Sequence, residues 1–453
     1  MRFWEGGAPL TLILVAVLLA VAATVRSSVP GLDRLRVPDS MLAGFAGLLL
    51  GPSLLGWLPI EQDVLERVVY HGLALLFITV SLRKPAEGTA AQGVRGFAFA
   101  LPMLVIAQAV LGLVLVFGWS ALVRPLHPGV GLMVPLGFSQ GPGQALALGS
   151  AWEANGMEDG AQLGLIMAAL GFVFCVGLGA PLLAMARHLG WLAELDDGEG
   201  TASSEVAARA EPGALEPLTR QVAAVATVYL MAWGIIQLAV FLLGDRPQAV
   251  ATVYGFHFVL GALLAVGARK VLGAVGRAEA LDTPLLSRMA ALVVDVVTVS
   301  AIAAVKLAVI QKWWVVVLVF GTSAGTLTAL LSVWFARRTF RQAPFEYALV
   351  LFGAATGTLA TGLALLRLVD PELRGPVPTG AVLGAAASLA LSIPLLGLLQ
   401  VPAAGWPETH PTASLGALAA LVVYGVAVAL AWWRFGGLQL TRPLTSLWPD
   451  PPE

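Results

Sequence analysis

The chain has 453 residues, 58% of them hydrophobic and only 12% charged, with a formal net charge of −1 and a mean hydropathy of +0.86. An ordinary soluble domain carries about 25% charged residues, so this composition excludes a soluble globular protein and predicts an all-α polytopic membrane protein embedded in a lipid bilayer. The near-zero net charge gives no sign of nucleic-acid binding, and a single cysteine, Cys175, excludes an internal disulfide framework or a thiolate metal site.

A bilayer core of about 30 Å asks for about 20 apolar residues per helical crossing. The first such segment, 8–25, reads as a transmembrane helix rather than a cleaved signal, because Glu5 sits beside Arg2 and Arg26 follows the run directly. Further crossings are expected at 38–57, 64–82, 96–119, 162–189, 221–243, 254–272, 286–310, 313–335, 377–400 and 413–433, about eleven in all. Two more apolar stretches, 129–150 and 345–367, differ because glycines, hydroxyls and amides interrupt their middles. Both are expected to be re-entrant hairpins that enter the bilayer and return. Between 190 and 219 lies the one long polar segment, rich in Ala, Glu, Gly and Ser, which reads as a flexible cytoplasmic linker.

With both exceptions returning to their own side, loops on one face carry most of the 26 Lys and Arg, while the other face receives Arg2, Arg67, Arg124, Arg246 and Lys312. The positive-inside rule then puts the N-terminus outside and the C-terminus in the cytoplasm, with Lys306 inside a crossing. Each half holds five crossings and one hairpin, and an odd number inverts the second half relative to the first. The expected organisation is a first repeat over 1–189, the linker 190–219, a second inverted-topology repeat over 220–404, and an extra transmembrane helix with a cytoplasmic tail over 405–453. Shifting the sequence by about 216 residues sets Gly137 on Gly353 and Gly141 on Gly357.

The interrupted middles are the candidate functional region. GFSQG at 137–141 and GAATG at 353–357 occupy equivalent places, and Gly141, Pro142 and Gly143 break the first stretch as Gly357 and Gly362 break the second. Main-chain carbonyls freed there can hold Na⁺, and half-helix N-termini can face an anion. Ser139, Gln140, Gln144, Thr356, Thr358 and Thr361 add neutral polar groups, and Arg367, just beyond, can clasp a substrate carboxylate or simply anchor the cytoplasmic end. Asp295 is the one acidic residue deep within an expected crossing, with Thr298 one turn on. A carboxylate there costs about 3 kcal/mol unless paired, which marks the pair as a Na⁺ or proton site. Trp313 and Trp314 read as interfacial belt residues, and His71 as a packing histidine.

GFSQG also fits the GxSxG pattern of serine hydrolases. That chemistry needs a strand, a sharp turn and a histidine base; no strand pattern precedes residue 137, and of five histidines only His71 sits in a crossing. An intramembrane hydrolase using Ser139 is therefore a remote alternative, and the chain is read as a non-enzyme. No HExxH or Walker pattern supports zinc proteolysis or ATP-driven pumping.

The segments VPDSMLAGFAGLLLG, LALLFITVSL, GFSQGPGQALALGSAWEANG, GFVFCVGLGAPL, AAVKL and FGAATGTLATGLALL together resemble the bacterial sodium:glutamate symporter family. The resemblance implies Na⁺-coupled uptake of glutamate or a related acidic amino acid or organic anion, an elevator-like motion, a homodimer in the bacterial cytoplasmic membrane, and no cofactor beyond the coupling ion. Where such symporters carry a GHGT-type run, this chain has Gly141, Pro142, Gly143 and Gln144. The alternatives are an H⁺-coupled carrier, an Na⁺/H⁺ antiporter, or a transport-inactive scaffold.

Overall fold

The computed structural model describes residues 7–28, 37–84, 92–192, 216–370, 375–404 and 412–439, and among them every regular element is helical. In chain order these are α1 (Gly7–Ser28), α2 (Asp39–Leu50), α3 (Gln62–Leu82), α4 (Gln92–Leu122), α5 (Pro128–Pro135), a π-helical turn at Leu136–Gln140, and α6 (Pro142–Glu153). The chain continues through α7 (Gly160–His188), α8 (Pro217–Leu243), α9 (Pro247–Gly255), α10 (His257–Ala274), α11 (Thr283–Ala303), α12 (Leu307–Thr339), α13 (Pro344–Thr356) and α14 (Leu359–Leu366), and ends in α15 (Pro376–Ala404) and α16 (Thr412–Ala431). Ten of these helices are long and apolar enough to cross a membrane. Large apolar side chains such as Phe241, Leu263 and Val423 are exposed on their outer faces, an arrangement suited to lipid and costly in water. The protein is a multi-pass α-helical membrane protein. Most of the linker expected at 190–219 and the tail beyond 439 lie outside the described residues.

Three expectations are corrected. The crossing expected at 38–57 is helical only over the 12 residues of α2, about 18 Å at 1.5 Å per residue. Helix ends at Gly51, whose N–H reaches Gly47 O at 2.8 Å, because Pro52 follows and cannot continue it. The chain still runs the length of α1: Arg26 holds Asp39 at one end, and Glu61 N–H donates to Thr11 Oγ1 at 3.1 Å at the other. Turns supply the distance that helix does not.

The second correction concerns 286–310. Helix α11 stops at Ala303 and α12 begins at Leu307, so Lys306 lies at a helix start and not within a crossing. The sequence AIAAVKLAVI contains no Gly or Pro. The stop comes from α7: Gln162 Nε2 donates to Ala304 O at 3.2 Å and its Oε1 accepts the Lys306 N–H at 2.8 Å, replacing the helical hydrogen bonds. Lys306 Nζ pairs with Glu66 on α3 at 2.9 Å. Trp313 is corrected as well; it is 4% exposed and donates to Asp159 at 2.9 Å, whereas Trp314 remains on the surface.

The two halves pack with matching internal relations. Helices α3 and α11 lie side by side and antiparallel: Thr283 at the start of α11 accepts from Lys84 N beyond the end of α3, and Lys306 beyond the end of α11 meets Glu66 near the start of α3. Gly72 lets them close, since a Cβ there would fall 2.4 Å from Val297. Helix α2 runs parallel to α11, with Gly44 against Ile302 and Ser53 Oγ donating to Val305 O. Likewise α10 runs parallel to α3, with His257 against Tyr70 O and Arg269 donating to Ser81 O. Helix α1 buries Thr11, Val15, Leu18 and Ala22, and α8 buries Gln221, Val225, Val228 and Ala232 at the same spacing. At the centre lie α5, α6 and α13, whose residues are almost all buried.

Candidate functional site

Both interrupted stretches fold back on themselves. In the first, Pro128 opens α5 with the His127 side chain accepting from Gly129 N, and the helix widens into the π-helical turn before breaking at Gly141. That glycine has φ 90° and ψ 169°, open to a residue without Cβ, and Pro142 restarts the chain as the first residue of α6. The ends meet: a Cβ on Gly129 would lie 2.9 Å from the Trp152 ring. In the second, α13 breaks at Gly357, and Thr358 caps α14 in a reciprocal box with Thr361. A Cβ on Gly353 would sit 2.5 Å from Gly362 Cα, so the two arms touch backbone to backbone.

The two breaks are joined to each other. Ser139 Oγ donates to Gln108 Oε1 at 2.6 Å and approaches Ala355 O at 3.0 Å. Gln108 Nε2 in turn donates to Ala355 O at 2.9 Å and to Thr328 Oγ1 at 2.8 Å. Gly171 on α7 permits this approach, because a Cβ there would stand 2.5 Å from Thr356 O and 3.3 Å from Phe138 Cα. Gln108 and Thr328 come from α4 and α12, so four separate elements converge on one buried polar node. Neither was singled out in the sequence; the available signal was a lone amide in the middle of an apolar 31-residue helix.

Beside this node opens a cavity of about 540 Å³. It gathers Asp295, Thr298, Thr358, Thr361 and Arg367 with Arg26, Asp39 and Ser40. Arg26 grips Asp39 at two points, Nε to Oδ1 at 2.7 Å and Nη2 to Oδ2 at 2.9 Å. The Asp295 carboxyl is in hydrogen-bonding contact with the Ser40 hydroxyl. Thr298 Oγ1 donates back to Val294 O at 2.8 Å. The cavity thus has two carboxyls, two guanidiniums and several hydroxyls in its lining, with Phe172 and Met41 supplying apolar surface.

The residues singled out in sequence therefore divide into two groups. Asp295, Thr298, Thr358, Thr361 and Arg367 line the cavity, whereas Ser139, Gln140, Gly141, Gly143, Gln144, Thr356 and Gly357 do not. Ser139 belongs to the node. Thr356 is buried, with its hydroxyl donating to Phe352 O at 2.7 Å. Gly143 packs on Leu73, and Gln144 is buried with its side-chain oxygen unpartnered. His71, the histidine expected within a crossing, meets the Tyr229 hydroxyl through Nδ1 at 2.5 Å. Among the described residues no group of three or more His, Cys, Asp or Glu is placed to hold a metal ion.

No protein-family model matches this chain, and no curated protein matches its sequence. Its class rests on the fold alone, a helical membrane protein whose polar groups converge on a buried node and an adjoining open cavity.

Proposed function

We propose that the protein is a secondary active transporter that moves a small organic solute by alternating access, with the cavity beside the node as its solute site. The observation that carries this reading is the meeting of two broken segments at Ser139 and Ala355. Irregular backbone in a membrane protein persists where protein buries it or a watery cavity receives it, and transporters place such breaks at their binding sites.

The antiparallel pairing of α3 with α11, the swapped contacts of α2 and α10, and the shared burial pattern of α1 and α8 support two inverted repeats. On this reading the broken segments are re-entrant hairpins from opposite faces, and α2 with its following turns completes a crossing. Arg367 and Arg26 suit a carboxylate-bearing solute. Together with the family resemblance they favour Na⁺-coupled symport of glutamate or a related acidic amino acid or organic anion. An elevator-like motion, a homodimer, and a bacterial cytoplasmic membrane with the C-terminus inside belong to the same proposal.

Uptake into proteoliposomes tests it. Radiolabelled glutamate and other small acids are offered under an imposed Na⁺ gradient, a pH gradient, or neither. Accumulation above the equilibrium level with a gradient is the expected result, and Arg367→Gln should raise the concentration needed for half-maximal uptake. Absence of gradient-dependent accumulation for every solute overturns the reading.

A further inference from the structure

A groove of about 490 Å³ lies between α4, α12 and the C-terminal helix α16, away from the node. Met103 comes from α4, Trp334 and Phe335 from α12, and Leu430 with Trp433 from α16 and the turn that follows it, and no charged residue lines the groove. Leu430 and Trp433 are each 58% exposed, so the groove opens outward, onto the surface that faces lipid. Its wall also holds a donor the protein leaves unanswered: Trp432 is fully buried and its indole N–H has no acceptor among the described residues. An occupant that carries acceptors suits this wall better than a purely apolar one.

Helix directions gather positive charge at one end of the groove. Helix α4 runs antiparallel to α12, since Gln108 meets Thr328 while Gly96 lies against Thr339 and Phe340. It runs antiparallel to α16 as well, with Gly425 near Ile106 and Gly436 near Phe99. The start of α4 therefore stands beside the ends of α12 and α16. These three helices and the turn Trp432–Gly436 contain no acidic residue, and Arg95, Arg337, Arg338 and Arg434 all sit at this shared end. Arg337 and Arg338 are buried, and Arg338 is built into the wall, 5.5 Å from the Trp334 ring centroid. Arg95 and Arg434 are exposed, and neither is held in an ion pair among the described residues. Arg95, Phe99 and Met103 follow at four-residue spacing and share a face, which leads from the groove out to the Arg95 guanidinium.

An apolar slot with free guanidiniums at its mouth matches a molecule with an apolar tail and an anionic head. Basic pockets between membrane helices hold anionic lipid headgroups, and tryptophans mark the depth at which headgroup meets acyl chain. A soluble anion would leave the slot empty, and a neutral lipid or a helix from a second copy would leave the arginines without a counter-charge. We propose that this groove binds one anionic phospholipid, with an acyl chain along Met103, Trp334 and Leu430 and the phosphate at Arg95 and Arg434. The site does not depend on the transport reading.

Native mass spectrometry of the full-length protein in mild detergent tests it. The probes are dioleoylphosphatidylglycerol, its neutral counterpart dioleoylphosphatidylcholine, and glycerol 3-phosphate as a head without chains. The expected result is one phosphatidylglycerol retained per chain in preference to phosphatidylcholine, with no competition from glycerol 3-phosphate. Each arginine near an anionic headgroup contributes about fivefold in affinity, so Arg95→Gln with Arg434→Gln should reduce the preference by about 25-fold, whereas Arg95→Lys with Arg434→Lys should keep most of it. Ala429→Trp fills the groove and should reduce phosphatidylglycerol retention, while Leu263→Trp, on an exposed face of α10, should not. A preference untouched by the paired Gln substitutions, or retention untouched by Ala429→Trp, overturns the proposal. Equal competition by glycerol 3-phosphate overturns it too, because the acyl groove then plays no part. A dimer that Ala429→Trp splits while lipid retention persists assigns the groove to a second copy, and likewise overturns it.

Discussion

Replacing Gln108 by leucine tests whether the polar node holds the two broken segments together. The substitution keeps side-chain volume close to native and deletes the bonds to Thr328, Ala355 O and Ser139. Hydrogen bonds between membrane helices average about 0.6 kcal/mol each, with a maximum near 1.7, so three of them give about 2 kcal/mol. The loss is not larger because Ser139 and Ala355 O stay paired with one another and Thr328 keeps Ala324 O, leaving no donor stranded. The assay is reversible unfolding in mixed micelles with increasing sodium dodecyl sulfate, followed by tryptophan fluorescence, on the parent, Gln108→Leu, Ser139→Ala and the double variant. The expected outcome is a loss of about 2 kcal/mol for Gln108→Leu and a Gln108–Ser139 coupling of about 0.6 to 1.7 kcal/mol. A Gln108→Leu protein as stable as the parent, or a cycle with zero coupling, refutes the node as a joint.

Three further outcomes follow from the packing. Gly353→Ala forces a methyl to within 2.5 Å of Gly362 Cα and should cost about 1–3 kcal/mol by overpacking; Gly177→Ala, where a Cβ meets nothing within 4 Å, should be neutral or slightly stabilising in the same unfolding assay. Gln162→Leu removes the cap at the α11–α12 break and strands Ala304 O, which should cost about 1–3 kcal/mol and raise amide hydrogen exchange at Val305 and Lys306; unchanged exchange there counts against the cap. The third concerns Asp159, in the loop before α7. Burial pushes its carboxyl up, but hydrogen bonds from Lys312 and Trp313 and the Lys312 charge outweigh that and hold it below the usual carboxylate range. Its folded-state value is therefore depressed, so its contribution is present above the unfolded value of about 3.9 and is lost as pH falls through the folded one. Asp159→Asn should lower stability by up to about 1 kcal/mol at pH near 7, and the gap to the parent should close as pH falls below the ordinary carboxylate range.

Local chemistry made part of this molecule legible without coordinates. Hydropathy alone places most of the crossings, because a helix that must face lipid has to be apolar along its whole length. The breaks at Gly141 and Gly357 are also readable, since glycine and proline act on their own backbone. Asp295 is conspicuous for the same kind of reason: a carboxyl in an apolar run stands out wherever the run folds.

Other features were decided by segments far apart in the chain. Nothing in AIAAVKLAVI announces a helix end; the stop is delivered by Gln162, 144 residues away from Lys306. The hydropathy of 38–57 carries on past Gly51 while the helix does not, because a window average does not register one Gly–Pro step. The split of the candidate residues between a closed node and an open cavity depends on Ser139 meeting Ala355, 216 residues on, and on Asp39 and Ser40 being brought to Asp295 by the packing of α2 on α11. Sequence determined which stretches could lie in lipid and where their backbones had to break. Tertiary structure decided which polar groups satisfy one another and which are left facing a cavity, because a buried donor or acceptor is settled by whichever partner the packing brings within reach.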